Sequence, residues 1–186
     1  RSSGLPLFVS TPDLLLDLPE ASWLPLVIDP AAWHSPRPAL GGSRVRVLHV
    51  PSRRTPPIKG TSFIDPVLTQ LAREGVVEYV SPESVPHEEM PGLVASVDVV
   101  IDQILTGSYG VAAVEAMAAG RLVLGNVGAG VREKVGSPVP ILDCSPDDLA
   151  ETIRTIAASP ERYQELAASG PAFVARYHSG AESARV

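Results

Sequence analysis

The fold is decided by residues 97–127, which read VDVVIDQILTGSYGVAAVEAMAAGRLVLGNV. Val97–Leu105 and Leu122–Val127 are short runs rich in β-branched and other apolar residues, and Tyr109–Ala119 between them predicts a helix. The runs are apolar at successive positions rather than at every second one. This pattern indicates strands covered on both faces, as in a parallel sheet. The stretch therefore predicts a strand–helix–strand unit.

The same alternation of apolar runs and helical stretches extends along the rest of the chain. Further strands are predicted at Leu7–Val9, Leu24–Ile28, Val45–Val50, Val76–Val80 and Val139–Leu142. Further helices are predicted near Ile64–Arg73, Pro86–Ala95, Pro146–Ala158 and Pro160–Arg176. We place the start of the first of these near Asp65, with Pro66 as its first helical residue. Strands that alternate with helices predict the α/β class, here a Rossmann-like parallel sheet flanked by helices.

Length and turn residues divide the chain into three parts. The 186 residues hold one ordinary domain, which we place at residues 44–186. Residues 30–43 contain three prolines and the pair Gly41-Gly42, and we predict a linker there. Residues 1–29 are too short for a domain, so they either extend the same sheet or form the tail of a preceding domain. The chain starts at Arg1 with neither a methionine nor a recognisable signal peptide, which suggests a fragment.

Composition argues against several classes of protein. The net charge of −6 argues against sequence-independent binding of nucleic acid, which needs a basic surface. The single cysteine, Cys144, excludes an internal disulfide, so we expect an intracellular, cytoplasmic protein. Asp98 and Asp102 interrupt the most apolar run, and no membrane span is expected. The four histidines show no metal-ligand spacing, and the sequence has no phosphate-loop NTPase motif.

Positive charge is concentrated in one part of the chain. Residues 30–64 contain six of the 15 cations and no aspartate or glutamate. Arg53, Arg54 and Lys59 follow the predicted strand Val45–Val50, and ligands bind beyond the carboxyl ends of strands in parallel sheets. Two forked guanidinium groups and an ammonium group would form a clamp for a diphosphate. The alternatives are an exposed basic loop and a patch that docks on an acidic surface.

A second candidate loop leads from the strand Val97–Leu105 into the next helix. Its residues are Gly107, Ser108, Tyr109, Gly110 and Val111. Their backbone amides are suited to an anion at the helix start. Every residue between Gly110 and Gly120 is apolar except Glu115, so we expect a buried helix with a buried carboxylate. A ribose diol is one partner for that carboxylate; a solvent gap or a buried arginine is the alternative.

A third glycine-containing stretch, Gly125–Gly130, also follows a predicted strand. Its glycine spacing specifies no ligand. We predict a flexible turn there.

Several stretches together resemble a known family. They are VLHVPSRR at 47–54, IKGT at 58–61, VDVVIDQ at 97–103, YGVAAVEAMAAG at 109–120 and ARYH at 175–178. They are similar to the C-terminal half of a GT-B glycosyltransferase of the large retaining group called family 4, or group 1. VSTPDLL at 9–15 and LPLVIDP at 24–30 look like the end of that family's N-terminal domain and the crossing into the second. The resemblance spans nearly the whole chain.

The resemblance implies that this chain is the half that binds a nucleotide-diphosphate sugar, the donor of the transferred sugar. Arg53 and Lys59 would be catalytic, because they neutralise the leaving diphosphate, and Arg54 would help to bind it. The amides around Ser108–Val111 would reach phosphate or sugar oxygens, and Glu115 would bind the ribose hydroxyls.

The resemblance also sets what such a protein needs besides the donor. It implies no metal and no cofactor, and an N-terminal domain as partner that carries most of the acceptor site. The family commonly has a second glutamate eight positions before the one matched by Glu115, and Gly107 stands there in this chain. That position usually contacts the donor sugar. The alternatives are a non-catalytic nucleotide-sugar-binding module and a nucleotide-sugar epimerase, which would need an acid/base pair.

Overall fold

A computed structural model describes residues 5–50 and 59–185. In chain order the elements are β1 (Phe8–Val9), α1 (Leu14–Asp17), β2 (Ser22–Trp23), α2 (Pro30–Trp33), β3 (Arg46–Leu48), α3 (Thr61–Arg73), β4 (Glu78–Val80), a 3₁₀ turn (His87–Glu89), α4 (Met90–Ser96), β5 (Val99–Ile101), α5 (Val111–Ala118), β6 (Leu122–Gly125), α6 (Ala129–Val135), β7 (Ile141–Asp143), α7 (Leu149–Ala158), a second 3₁₀ turn (Pro160–Tyr163) and α8 (Gln164–Tyr177).

Five strands form one parallel sheet in the order β4-β3-β5-β6-β7. Every residue of β5 and β6 is buried, as their uninterrupted apolar runs predict. The predicted α/β, Rossmann-like sheet flanked by helices is confirmed. The strand order reverses between β3 and β5, because β4 lies on the outer side of β3. Such a switch point opens a crevice at the carboxyl ends of the two strands.

Helices cover both faces of the sheet. On one face α5 and α8 bury a cluster that includes Val114, Met117 and Val174. On the other face α3 and α7 bury Ile64, Leu68 and Ile153 among others. Helix α5 lies under α8, and all its residues from Ala113 to Ala118 are buried. The buried helix predicted from the sequence is therefore confirmed.

The N-terminal segment does not join the main sheet within the described residues. β1 and β2 pair with each other as a separate two-stranded parallel sheet. The predicted strand at Leu24–Ile28 is wrong, because the structure has no strand there. Those residues bind the C-terminal end of the chain instead: the Ile28 amide donates to the His178 carbonyl at 3.0 Å, and His178 Nδ1 lies 2.9 Å from the Leu26 carbonyl.

The segment predicted as a linker, residues 30–43, contains α2 and packs on the domain. Trp33, Ala39 and Leu40 are buried. The buried Asp98 carboxylate accepts from the Arg37 guanidinium at 3.0 Å and from the Leu40 amide at 3.0 Å. A carboxylate before β5 thus ties this segment to the sheet.

Two local predictions are wrong. α3 begins at Thr61 rather than near Asp65, and Pro66 lies inside it. Gly60 precedes the helix with φ +87°, a left-handed conformation that glycine adopts without strain, so the helix starts a turn earlier than the proline suggested. Part of Gly125–Gly130, predicted as a flexible turn, belongs to α6, which begins at Ala129. In the described part of the chain no helix is long and apolar enough to cross a membrane.

Candidate functional site

The switch point brings the two candidate loops side by side. The first follows β3 and the second follows β5, and these strands are neighbours. Residues 51–58, including Arg53 and Arg54, lie outside the described residues. Lys59 and the whole second loop are described. The described part of the site therefore consists of the second loop and the last residues of the first loop.

His49 lies just before the first loop and is held by hydrogen bonds in the core. It is fully buried, with Nδ1 2.9 Å from the Ile101 carbonyl and Nε2 3.0 Å from Thr61 Oγ1. A carbonyl only accepts, so Nδ1 carries the proton and Nε2 accepts from the threonine. Burial lowers the pKa of His49 below its ordinary value. A neutral histidine thus joins β3 to β5 and to the first turn of α3.

Lys59 and the start of α5 meet at one carboxylate. Lys59 Nζ donates to Asp102 Oδ1 at 2.8 Å, and the Gly110 amide donates to Asp102 Oδ2 at 2.9 Å. The Asp102 side chain is 2% exposed and that of Lys59 is 15% exposed. In the sequence Asp102 interrupts an apolar run and lies in the stretch VDVVIDQ, but neither feature assigns it a contact. Its position directly after β5, the neighbour of β3, is the signal that would have placed it here.

The turn before α5 is held by contacts with distant parts of the chain. Ser108 Oγ donates to Asp13 Oδ1 at 2.8 Å, and the Ser108 carbonyl accepts from Gln103 Nε2 at 2.8 Å. The Gly107 carbonyl accepts from the Gly128 amide at 2.9 Å. Ser108 is buried, and its hydroxyl is engaged by the N-terminal segment.

Tyr109 and Val111 contribute differently to the loop. The Tyr109 side chain is buried against Phe173 and His178, and burial raises the pKa of its hydroxyl. That ring belongs to the core and only the backbone of Tyr109 faces the loop. Val111 is 50% exposed at the start of α5. Gly107 has φ +70° and Gly110 is the residue before the helix.

Glu115 is a buried carboxylate without a partner in the part of the chain that the structure describes. It is 9% exposed, and within residues 5–50 and 59–185 no side chain hydrogen-bonds or pairs with its carboxylate. The buried arginine considered as an alternative, Arg121, lies beyond the other end of α5 and donates to the Ala119 and Val97 carbonyls. Burial raises the pKa of Glu115, opposed by the charges of His87 and Lys59.

Lys59 and Glu115 lie on the same side of the molecule. Asp102 joins Lys59 to the Gly110 amide, and Glu115 lies in α5, the helix that Gly110 precedes. The two groups expected to hold opposite ends of one ligand therefore belong to the same edge of the sheet. Among the described residues, no group of three or more histidine, cysteine, aspartate or glutamate side chains is placed to hold a metal ion.

No family model and no curated protein matches the sequence. Solved structures do match. HepE from Anabaena, in complex with UDP-glucose, aligns with TM-score 0.69 and 16% identity over 97% of this chain and 62% of its own. Sucrose-phosphate synthase from Thermosynechococcus elongatus aligns with TM-score 0.67 and 18% identity over 96% of this chain and 55% of its own.

WaaG, a glycosyltransferase of lipopolysaccharide biosynthesis, aligns over 100% of this chain and 62% of its own, with TM-score 0.67 and 14% identity. This chain has the fold of one half of a GT-B glycosyltransferase. The fold expected from the sequence motifs is thus confirmed. The chain spans less than two thirds of the length of each of these three proteins.

Proposed function

We propose that this chain is the donor-binding half of a glycosyltransferase that uses a nucleotide-diphosphate sugar. The observation that carries the proposal is Glu115, a buried carboxylate without a partner among the described residues, in the helix whose start shares Asp102 with Lys59 at the switch point of the sheet. A buried carboxylate is costly unless it is hydrogen-bonded, and a ribose diol supplies two hydroxyl donors. HepE, which shares the fold, is described as a complex with UDP-glucose.

The proposed reaction breaks the bond between the anomeric carbon of the sugar and the diphosphate oxygen, which leaves with the electron pair. The oxygen of an acceptor hydroxyl forms the new bond to the anomeric carbon and gives its proton to the departing diphosphate oxygen, with retention of the anomeric configuration. Lys59 and Arg53 would neutralise the negative charge that develops on the diphosphate, and Arg54 would help to bind it. The amides around Ser108–Val111 would hold phosphate or sugar oxygens. Cationic side chains and a helix start would do this without a metal ion.

A second domain is part of the proposal. Residues 5–27 expose seven large apolar side chains, namely those of Leu5, Leu7, Phe8, Leu14, Leu16, Leu24 and Val27. An apolar surface of this kind favours contact with another protein surface. We propose that an N-terminal domain covers it and supplies the acceptor site.

Thermal shifts with a panel of nucleoside diphosphates and their sugars test the donor site. A ligand at about 100 times its dissociation constant adds about 2.7 kcal/mol to the free energy of unfolding, so the correct nucleotide raises the Tm by several degrees. If no member of the panel raises the Tm, the proposed function is wrong.

The Lys59→Ala variant tests the cation. Its fold should persist with lower stability, because Asp102 loses its cation but still accepts from the Gly110 amide. In the complete enzyme we expect its turnover to fall by about 10²–10³, the usual cost of removing one preorganised donor. The matched control is Lys134→Ala, at an exposed lysine of α6, which should keep full turnover. Unchanged turnover in Lys59→Ala would argue against the clamp.

One observation favours a second candidate, a non-catalytic nucleotide-sugar-binding module. Gly107 stands where the resembled family has its second glutamate, and its φ is +70°. A glutamate rarely adopts this conformation, so the turn is shaped for the absence of that side chain. Both candidates bind nucleotide. Only the enzyme releases the nucleoside diphosphate from its sugar, so an assay for that release separates them.

A further inference from the structure

Asp102 accepts hydrogen bonds from two groups that the proposed function assigns to the diphosphate, the Lys59 ammonium and the Gly110 amide. One oxygen accepts from the Lys59 ammonium at 2.8 Å and the other from the Gly110 amide at 2.9 Å. A phosphate held by the same cation and the same helix start would make the same two kinds of contact. The carboxylate therefore stands where an anionic ligand would stand.

The electrostatic consequence is a charge-balanced site. Asp102 is 1% exposed, so water screens its charge weakly. Its negative charge cancels that of Lys59, the cation of the clamp that lies within the described residues. Bringing a diphosphate to Lys59 places like charges within a few ångströms of each other, which disfavours binding.

We propose that Asp102 is an affinity-determining residue of the donor site: an internal anion that holds Lys59 and the Gly110 amide, and that a diphosphate must displace or oppose. This inference rests on the proposed function. It concerns the strength of donor binding. A buried carboxylate that competes for the cation keeps affinity for nucleoside diphosphate low and lets the product leave.

Removing the charge at Asp102 tests the inference. In Asp102→Asn, the side-chain oxygen still accepts from the Gly110 amide while the negative charge is gone. We expect the dissociation constant of the nucleoside diphosphate with the largest thermal shift to fall at least about tenfold, measured by calorimetry. Asp102→Ser removes the same charge with a smaller polar group, and should behave alike if the asparagine variant does not fold.

The matched control is Asp143→Asn. Asp143 ends β7 at the same edge of the sheet and likewise accepts from a cation, Arg132 at 2.7 Å, and from a backbone amide, that of Val127 at 3.2 Å. It is two strands from β5, so the same charge change should alter the dissociation constant less than about twofold.

The outcomes separate the two proposals. Tighter binding by the Asp102 variants and little change in the control support the inference. If the unmodified chain binds the nucleoside diphosphate and both Asp102 variants bind it equally well or more weakly, the inference is wrong. The proposed donor site is then unaffected. Equal increases in affinity in the Asp102 and Asp143 variants also overturn the inference, because the effect would then come from the net charge of the protein rather than from this site. No binding by any of the proteins overturns both.

Discussion

Glu115 is the residue on which the proposed function depends most. Other buried polar side chains of the described residues have partners: Asp98 binds Arg37, Asp102 binds Lys59, and Ser108 binds Asp13. Glu115 has none among the described residues, and burial raises its pKa. A carboxylate that served only stability would not be kept in such an environment, because its charged form is disfavoured there.

Glu115→Gln separates binding from stability. The neutral amide avoids the cost of burying a charge, so the Tm at pH 7.5 should stay equal or rise. Binding of nucleoside diphosphate should weaken about tenfold or more, because a charge-assisted hydrogen bond to the ribose contributes about 1.5–3 kcal/mol. Calorimetry and thermal unfolding of the same variant measure both effects. Glu133→Gln, at an exposed glutamate of α6, is the control, and equal binding in both variants would contradict a ribose contact.

At the scale of elements, the contact between α5 and α8 positions the site. Helix α5 carries Glu115 and is buried between the sheet and α8. The two helices approach closely at Gly170 of α8, where an added Cβ would lie 2.6 Å from the Met117 carbonyl oxygen. Backbone atoms cannot move aside there without shifting a whole helix. The orientation of α5, and with it the place of Glu115, thus depends on a residue with no side chain.

Gly170→Ala should therefore destabilise the fold. We expect the free energy of unfolding to fall by about 1–3 kcal/mol in urea denaturation, the usual cost of overpacking. Gly92→Ala is the matched control, because Gly92 also lies in a helix but no atom lies within 4 Å of its added Cβ. That control should gain about 0.5–1 kcal/mol, since alanine favours helix. A Gly170→Ala chain as stable as the control would show that α8 is free to move away from α5.

At the scale of the whole molecule, two buried histidines connect separate parts of the chain. His49 joins β3 to β5 and α3, and His178 joins the C-terminal end to Leu26 and contacts the Tyr109 ring. Burial lowers the pKa of both below the ordinary histidine value. The unfolded chain, in contrast, binds protons at these residues near pH 6.5.

Stability should fall in mild acid. Below about pH 6.5 the unfolded state binds more protons than the folded state, so the free energy of unfolding falls as the pH drops toward the lowered folded pKa values. Glu115 acts in the opposite direction: its pKa is raised, so its contribution falls as the pH rises above about 4.5. As the pH falls, the two histidines lower the stability and the one carboxylate raises it. We therefore expect the Tm to be lower at pH 5.5 than at pH 7.5.

His178→Gln checks the source of this pH dependence. Its amide can still donate to the Leu26 carbonyl, and it does not titrate, so the Tm difference between the two pH values should shrink. His34→Gln removes an exposed histidine and should leave the difference unchanged. An equal slope in all three proteins would assign the acid sensitivity to other groups.

Much of the fold can be predicted from the sequence, because each of these strands and helices has its own local pattern of apolar residues. The buried strands β5 and β6 and the buried helix α5 all lie within residues 97–127, where each element is decided by a few successive side chains. The same local reasoning found the two loops at the carboxyl edge, since each loop directly follows its own strand. It failed at Pro66, where α3 begins a turn earlier after Gly60, and at α6, which begins at Ala129 within the glycine-containing stretch.

The contacts of the site depend instead on the packed chain. Asp102 lies 43 positions from Lys59, and Asp13 lies 95 positions from Ser108. No periodicity spans such separations. Strand order determines which loops become neighbours, and neighbouring loops determine which carboxylates, such as Asp102, find a partner across the site.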